Sequence, residues 1–104
     1  MKGVIAEWSA LCEGEEIDQR GIVIPELDNL ALVPDPFYGN FSVYKMSGFT
    51  DDVAKGNTKV IREIEVPDEL VCLAKDYLEV CKYFNKAEEE FNRKTEPFKK
   101  LLKE

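Results

Sequence analysis

Apolar residues recur at helical spacing in the C-terminal third of the chain. An α-helix has about 3.6 residues per turn, so steps of three and four residues return to one face. Pro67 suits a first helical turn, Asp68 and Glu69 suit the positive end of the helix dipole, and Pro97 lies beyond the expected end. The pattern predicts one long helix over 67–94. The residues that keep the spacing are Leu70, Ala74, Tyr77, Cys81, Phe84 and Phe91.

The preceding residues, 1–66, carry strand patterns separated by turn formers. Glu26–Val33 fits either a helical turn, with Leu27, Leu30 and Ala31 on one side, or a strand over Leu30–Val33, and we favour the strand. The polar stretch 12–21 is expected to be a connection, 34–40 a turn, and 51–55 a single helical turn. The strands predicted from apolar, aromatic and β-branched runs are 3–11, 22–24, 41–46 and 59–66.

The last of these strands shows the clearest alternation. Val60, Ile64 and Val66 are expected on a buried face, and Glu63 and Glu65 on a wet face. Strands followed by a long helix predict an α+β fold, with a small antiparallel sheet of about four to five strands and the helix across one face. We expect a single domain over 1–104, in which 1–66 form strands and loops and 67–104 form the helix and its tail.

The helical stripe narrows after Phe84, and two arrangements of the tail are open. Pro97 should kink or end the helix, after which Thr95 could cap a short helix carrying Phe98, Leu101 and Leu102. A helix of 28 residues would be about 42 Å long, which exceeds what a small sheet can cover. The uncovered part would then bind another chain, or the tail would fold back near Asn85 onto its own domain.

Composition limits the class of partner. The net charge is −7, and residues 1–58 carry ten acids against four bases. This imbalance argues against direct binding to a nucleic-acid backbone and leaves a basic protein partner open.

The cysteines and the apolar runs bear on location. Cys72 and Cys81 are nine residues apart on the predicted helix, too far for a disulfide, and Cys12 is left alone. An odd number of cysteines predicts a reducing, cytoplasmic location with all three thiols free, Cys72 and Cys81 as small apolar filler. No apolar run approaches the roughly 20 residues of a membrane span, so no membrane association is expected.

Chemistry-bearing motifs are not recognisable. The chain has no histidine, which removes the commonest general base and the His-containing metal sites. The glycines match no phosphate-binding loop, and the Glu88–Glu90 run is typical of a solvated helix face. We therefore expect no enzyme activity, no cofactor and no metal.

The remaining function is protein binding. We predict a small acidic accessory, adaptor or inhibitor protein, of a kind found in phages or mobile elements, that self-associates as a homodimer through its C-terminal helix. The alternative is an acidic nucleic-acid mimic that blocks a basic groove, with an acidic surface of Glu13, Glu15, Glu16 and Asp18. The predicted partner-binding residues are Phe84, Phe91, Phe98, Leu102, Phe37 and Tyr38.

Overall fold

A computed structural model describes residues 1–35, 40–79 and 85–102. Within these ranges the chain is α+β, as predicted, with a five-stranded antiparallel sheet in the order β4-β3-β2-β1-β5. The strands are β1 (Lys2–Cys12), β2 (Glu15–Ile24), β3 (Leu30–Pro34), β4 (Phe41–Lys45) and β5 (Thr58–Glu65).

Helices follow the fourth and fifth strands. The α-helices are α1 (Phe49–Lys55), α2 (Asp68–Glu79) and α3 (Asn85–Thr95), and 3-10 turns cover Pro25–Leu27 and Glu96–Leu102. Helix α2 begins one residue after Pro67, as its start signals predict, and buries Leu70, Val71 and Ala74.

The first two strands form a long hairpin. Their register runs without interruption from Val4↔Val23 to Cys12↔Glu15. The prediction of a polar connection over 12–21 and a strand of only 22–24 is therefore wrong. Polar residues can occupy strand positions here because no residue of Glu15–Arg20 is fully buried and no apolar pattern is required.

Strands β3 and β4 extend the sheet on the other side of β2. Strand β3 begins at Leu30, in agreement with the strand interpretation of Leu30–Val33, and pairs along its whole length with β4. In the predicted turn 34–40, the Asp35 amide donates to the Asn40 carbonyl at 2.7 Å.

The fifth strand lies at an edge of the sheet and contains a bulge. The register with β1 shifts between Ile5 and Ala6, so that Ala6 pairs with Val60 and Ile5 with Arg62. Val60 consequently lies on the opposite face from Ile64 and is 40% exposed. The prediction that both share a buried face is wrong, because one extra residue reverses the alternation.

Helices α2 and α3 cover one face of the sheet. The ring centroids of Tyr77 and Phe91 lie 4.5 Å apart, and the angle between the ring planes is 48°. In one straight helix their Cα atoms would be about 21 Å apart, since each residue adds about 1.5 Å. The prediction of a single long helix over 67–94 is therefore wrong, because α2 and α3 pack against each other.

The opposite face has a smaller core under α1. Ala6, Val23, Ala31 and Val33 of the sheet pack with Phe49 of this short helix, and Trp8, Met46 and Val53 surround them. The glycine at position 21 is required here, because an added Cβ would lie 2.9 Å from Val33 and 3.1 Å from the carbonyl oxygen of Leu32.

The end of α3 agrees with the predicted effect of Pro97. The α-helix stops at Thr95, and the 3-10 turn Glu96–Leu102 continues the chain. Thr95 is fully buried, and its hydroxyl donates to the Phe91 carbonyl at 2.8 Å. Its side chain therefore bonds back into α3, and the prediction that it caps a following helix is wrong.

Candidate functional site

The described members of the predicted partner-binding surface lie in or against the chain's own core. Phe91 is 3% exposed and Leu102 9% exposed, and Phe98 is half-buried against the same cluster. This placement corresponds to the alternative in which the tail folds back. The remaining three predicted contact residues, Phe84, Phe37 and Tyr38, lie outside the described residues.

Two arginines from the sheet hold the tail. Arg20 of β2 donates from its guanidinium to the Leu102 carbonyl, and Arg62 of β5 donates to the Leu101 carbonyl, each at 3.1 Å. Arg62 therefore lies on the apolar side of an edge strand for a structural reason, since the carbonyls at the end of the 3-10 turn need donors. These contacts fix the tail on its own sheet.

The four predicted acidic residues lie together at the far end of the β1–β2 hairpin. Glu13 and Gly14 form its two-residue turn, with φ of 53° and 83°. Positive φ at both positions is typical of a type I′ turn, which suits the twist of paired strands. Glu15, Glu16 and Asp18 follow on β2, all exposed.

This end of the hairpin projects past its neighbouring strands. Strand β5 pairs with β1 only as far as Trp8, and β3 pairs with β2 only from Ile22. The pairs from Ser9↔Asp18 to Cys12↔Glu15 thus have no flanking strand among the described residues, and they extend over about 10 Å. We call residues 9–18 the outer hairpin.

The outer hairpin contributes nothing to the described core. None of its described side chains belongs to either apolar cluster, and Leu11 is 81% exposed. Ser9 donates to Asp18 across the strands at 3.2 Å, which helps to hold the ribbon together. The outer hairpin is therefore a surface element on which Leu11 is highly exposed among carboxylates, while Ile17 is half-buried.

Its base is tied to the body of the protein. Arg20 donates from Nε to the Glu7 carboxylate at 2.7 Å, and the same guanidinium reaches Leu102. An open polar cleft of about 330 Å³ lies beside this pair, lined in part by Trp8, Asp18 and Lys59. Because the Arg20 charge is matched by Glu7, this cleft offers no evident anion site.

Two shifted pKa values lie away from the outer hairpin. Burial raises the pKa of the Tyr44 phenol on β4. The pKa of the Met1 amine is raised chiefly by its hydrogen bond to Glu65. Among the described residues, no nucleophile paired with a general base lies at either group, so neither pKa shift indicates catalysis.

The described residues contain no candidate metal site and no candidate membrane span. Over 1–35, 40–79 and 85–102, no group of three or more cysteines and carboxylates could hold a metal ion. Nor does any helix in the described part of the chain have the length and apolarity needed to cross a membrane. Cys72, predicted as apolar filler, is an exposed free thiol, because it faces away from the buried side of α2.

Comparison with known proteins gives no relative. No protein-family model, curated protein or solved structure matches this chain. The function must therefore be argued from the residues themselves.

Sequence reasoning found the acids but missed the element that carries them. The sequence predicts Leu11 at the end of the strand 3–11, whereas Leu11 lies on the projecting outer hairpin and is exposed. Part of a signal was available, because Gly14 lies between runs of similar length and suits a two-residue hairpin turn, although the residue before it is glutamate and not the favoured asparagine or aspartate. Pairing the strands about this turn would have placed Leu11 opposite Glu16.

Proposed function

We propose that this protein is a non-enzymatic protein-interaction module that binds a basic partner through the outer hairpin. The proposal rests on the observation that the outer hairpin projects past β3 and β5 while adding no described side chain to the core. A two-stranded ribbon alone is marginally stable in water. Ordering such a ribbon beyond the sheet costs conformational entropy that no core packing offsets. A contact with a partner protein would explain why the ribbon is nevertheless present.

The side chains of the outer hairpin favour a partner with both basic and apolar groups. Carboxylates at Glu13, Glu15, Glu16 and Asp18 would attract cations and speed encounter. Leu11, 81% exposed, would supply burial of about 1.5–3 kcal/mol when covered. Charge would thus guide the partner, and the aliphatic side chain would hold it.

The alternative function is an acidic nucleic-acid mimic that occupies a basic groove. The same four carboxylates favour it, but a mimic acts by charge alone and would not use Leu11. Salt separates the two, because binding through exposed charges weakens steeply with ionic strength and apolar contact does not. A cytoplasmic, accessory or inhibitory role, of phage or mobile-element type, is a proposal under either function.

Self-association remains a separate proposal. A homodimer through Phe84, Phe91, Phe98 and Leu102 would have to use side chains of which Phe91 and Leu102 are already covered within one chain. Light scattering coupled to gel filtration tests it directly. A dimer that dissociates on Phe98→Glu while staying folded would favour it, and a monomer at high concentration would refute it.

The proposed function is tested by affinity capture from the native host with variant baits. Leu11→Ser and Glu16→Lys change the outer hairpin, and Val60→Ser and Glu63→Lys are matched controls on β5, where both residues are also exposed. We expect one set of proteins to be captured by wild type and both controls and lost with both hairpin variants. Equal capture by the hairpin variants would refute the proposal.

A further inference from the structure

The backbone of β2 has an open edge along the outer hairpin. The ladder between β2 and β3 ends at Ile22↔Leu32. Two positions further in that register, Pro34 would lie beside Arg20, and proline has no N–H to donate. Among the described residues, no strand lies beside Glu15–Gln19 on this side.

The register shows which backbone groups point outward. In a two-residue hairpin, the residues flanking the turn bond to each other, so Cys12 and Glu15 face one another across the ladder. Direction alternates along the strand, and the register has no shift from Glu15 to Val23. The N–H and C=O groups of Glu16 and Asp18 therefore point away from β1, toward the open edge.

We propose that an extended basic segment of the partner protein adds as a further strand to this edge. This inference rests on the proposed function and names its mode of binding, in which main-chain hydrogen bonds hold an added strand. Lysine or arginine side chains of that segment would lie beside Glu16 and Asp18. Charge complementarity thus selects a basic strand over a neutral or acidic one.

A second copy of this chain is a poor occupant of the same edge. Antiparallel pairing of two outer hairpins about Ile17 would set Glu16 opposite Asp18, and like charges directly opposite are destabilising. Among the described residues, the β1 side of the outer hairpin is also open, but it contains no carboxylate that would select a basic strand. The edges formed by β5 and β4 are protected in known ways. Strand β5 carries a bulge with Lys59 and Arg62, and β4 has only five residues.

The test uses a synthetic peptide of alternating lysine and valine, titrated into ¹⁵N-labelled protein. Its control is the same peptide with alternate amides N-methylated, which keeps charge and side chains but removes hydrogen-bond donors from one edge. On the protein side, Asp18→Pro is compared with Asp18→Ala. Both variants lose the carboxylate and the bond to Ser9, and only proline loses the outward N–H.

We expect the parent peptide to shift the amide signals of Glu16 and Asp18. Asp18→Pro should bind it about three- to tenfold more weakly than Asp18→Ala, the effect of one net hydrogen bond. The N-methylated peptide should bind wild type more weakly by at least that factor, a comparison that does not depend on any variant folding. Equal binding of the two peptides to wild type overturns the proposal.

The two proposals fail in different ways. If capture from the host is lost with Leu11→Ser but equal for Asp18→Pro and Asp18→Ala, the hairpin binds by side chains alone and strand addition is wrong. If capture is unaffected by Leu11→Ser and Glu16→Lys, the proposed function itself is wrong.

Discussion

Replacing Phe91 tests the packing of the two C-terminal helices against the sheet. The side chain is 3% exposed and its ring contacts Tyr77 at 4.5 Å, so truncation removes almost all of a buried aromatic group. Phe91→Ala should cost about 3–5 kcal/mol of unfolding free energy. Whole domains are stable by only about 5–15 kcal/mol, so this is a large fraction of the total.

The assay is urea denaturation followed by circular dichroism, with two matched controls. Phe91→Leu keeps most of the apolar volume and should cost about 1–2 kcal/mol. Arg93→Ala, at an exposed position of the same helix, should stay within about 0.5 kcal/mol of wild type. A cost below about 1 kcal/mol for Phe91→Ala, or a Phe91→Glu variant that remains folded, would show that this side chain does not lie in its own core.

Three further changes have expected outcomes. Glu13→Asn should stabilise by about 1 kcal/mol in thermal or urea unfolding, because asparagine tolerates the left-handed conformation at φ 53°, and Glu13→Gln should not. Gly21→Ala should destabilise by about 1–3 kcal/mol, since the new methyl meets Val33 and the Leu32 carbonyl; an unchanged midpoint would contradict the close packing. The pKa of Tyr44 is higher in the folded protein than the usual tyrosine pKa of 10.0. The stability that the protonated phenol contributes is therefore fully present below pH 10.0 and is lost as the pH rises through the folded-state pKa. Denaturation at about pH 9 and about pH 11 should therefore show a smaller loss for Tyr44→Phe than for wild type.

The sequence predicts those elements of the fold that bury one face, because their apolar residues recur with a regular period. The antiparallel sheet, the start of α2 after Pro67 and the strand Phe41–Lys45 agree with the structure because each buries one face. The hairpin was underestimated for the converse reason. Its outer half contains no fully buried residue and only one large apolar residue, Ile17, on β2, so no alternation distinguishes a strand from a polar loop over Glu15–Asp18.

The long-helix prediction was wrong because the spacing of apolar residues does not show whether the chain continues straight or turns back between them. Tyr77 and Phe91 keep one spacing along the sequence, and this spacing arises equally from one helix and from two helices whose apolar sides meet. Nor could the spacing predict the bulge in β5, which depends on pairing with Ile5 and Ala6 of another strand. Contacts between distant segments decided both features.

The projecting hairpin as the partner contact is the central claim. With the captured partner in hand, calorimetric titration of wild type, Leu11→Ala and Val60→Ala tests it most directly. Covering Leu11 is worth about 1.5–3 kcal/mol, so Leu11→Ala should weaken the Kd by about tenfold or more, while Val60→Ala leaves it unchanged. An unchanged Kd for Leu11→Ala would contradict the account.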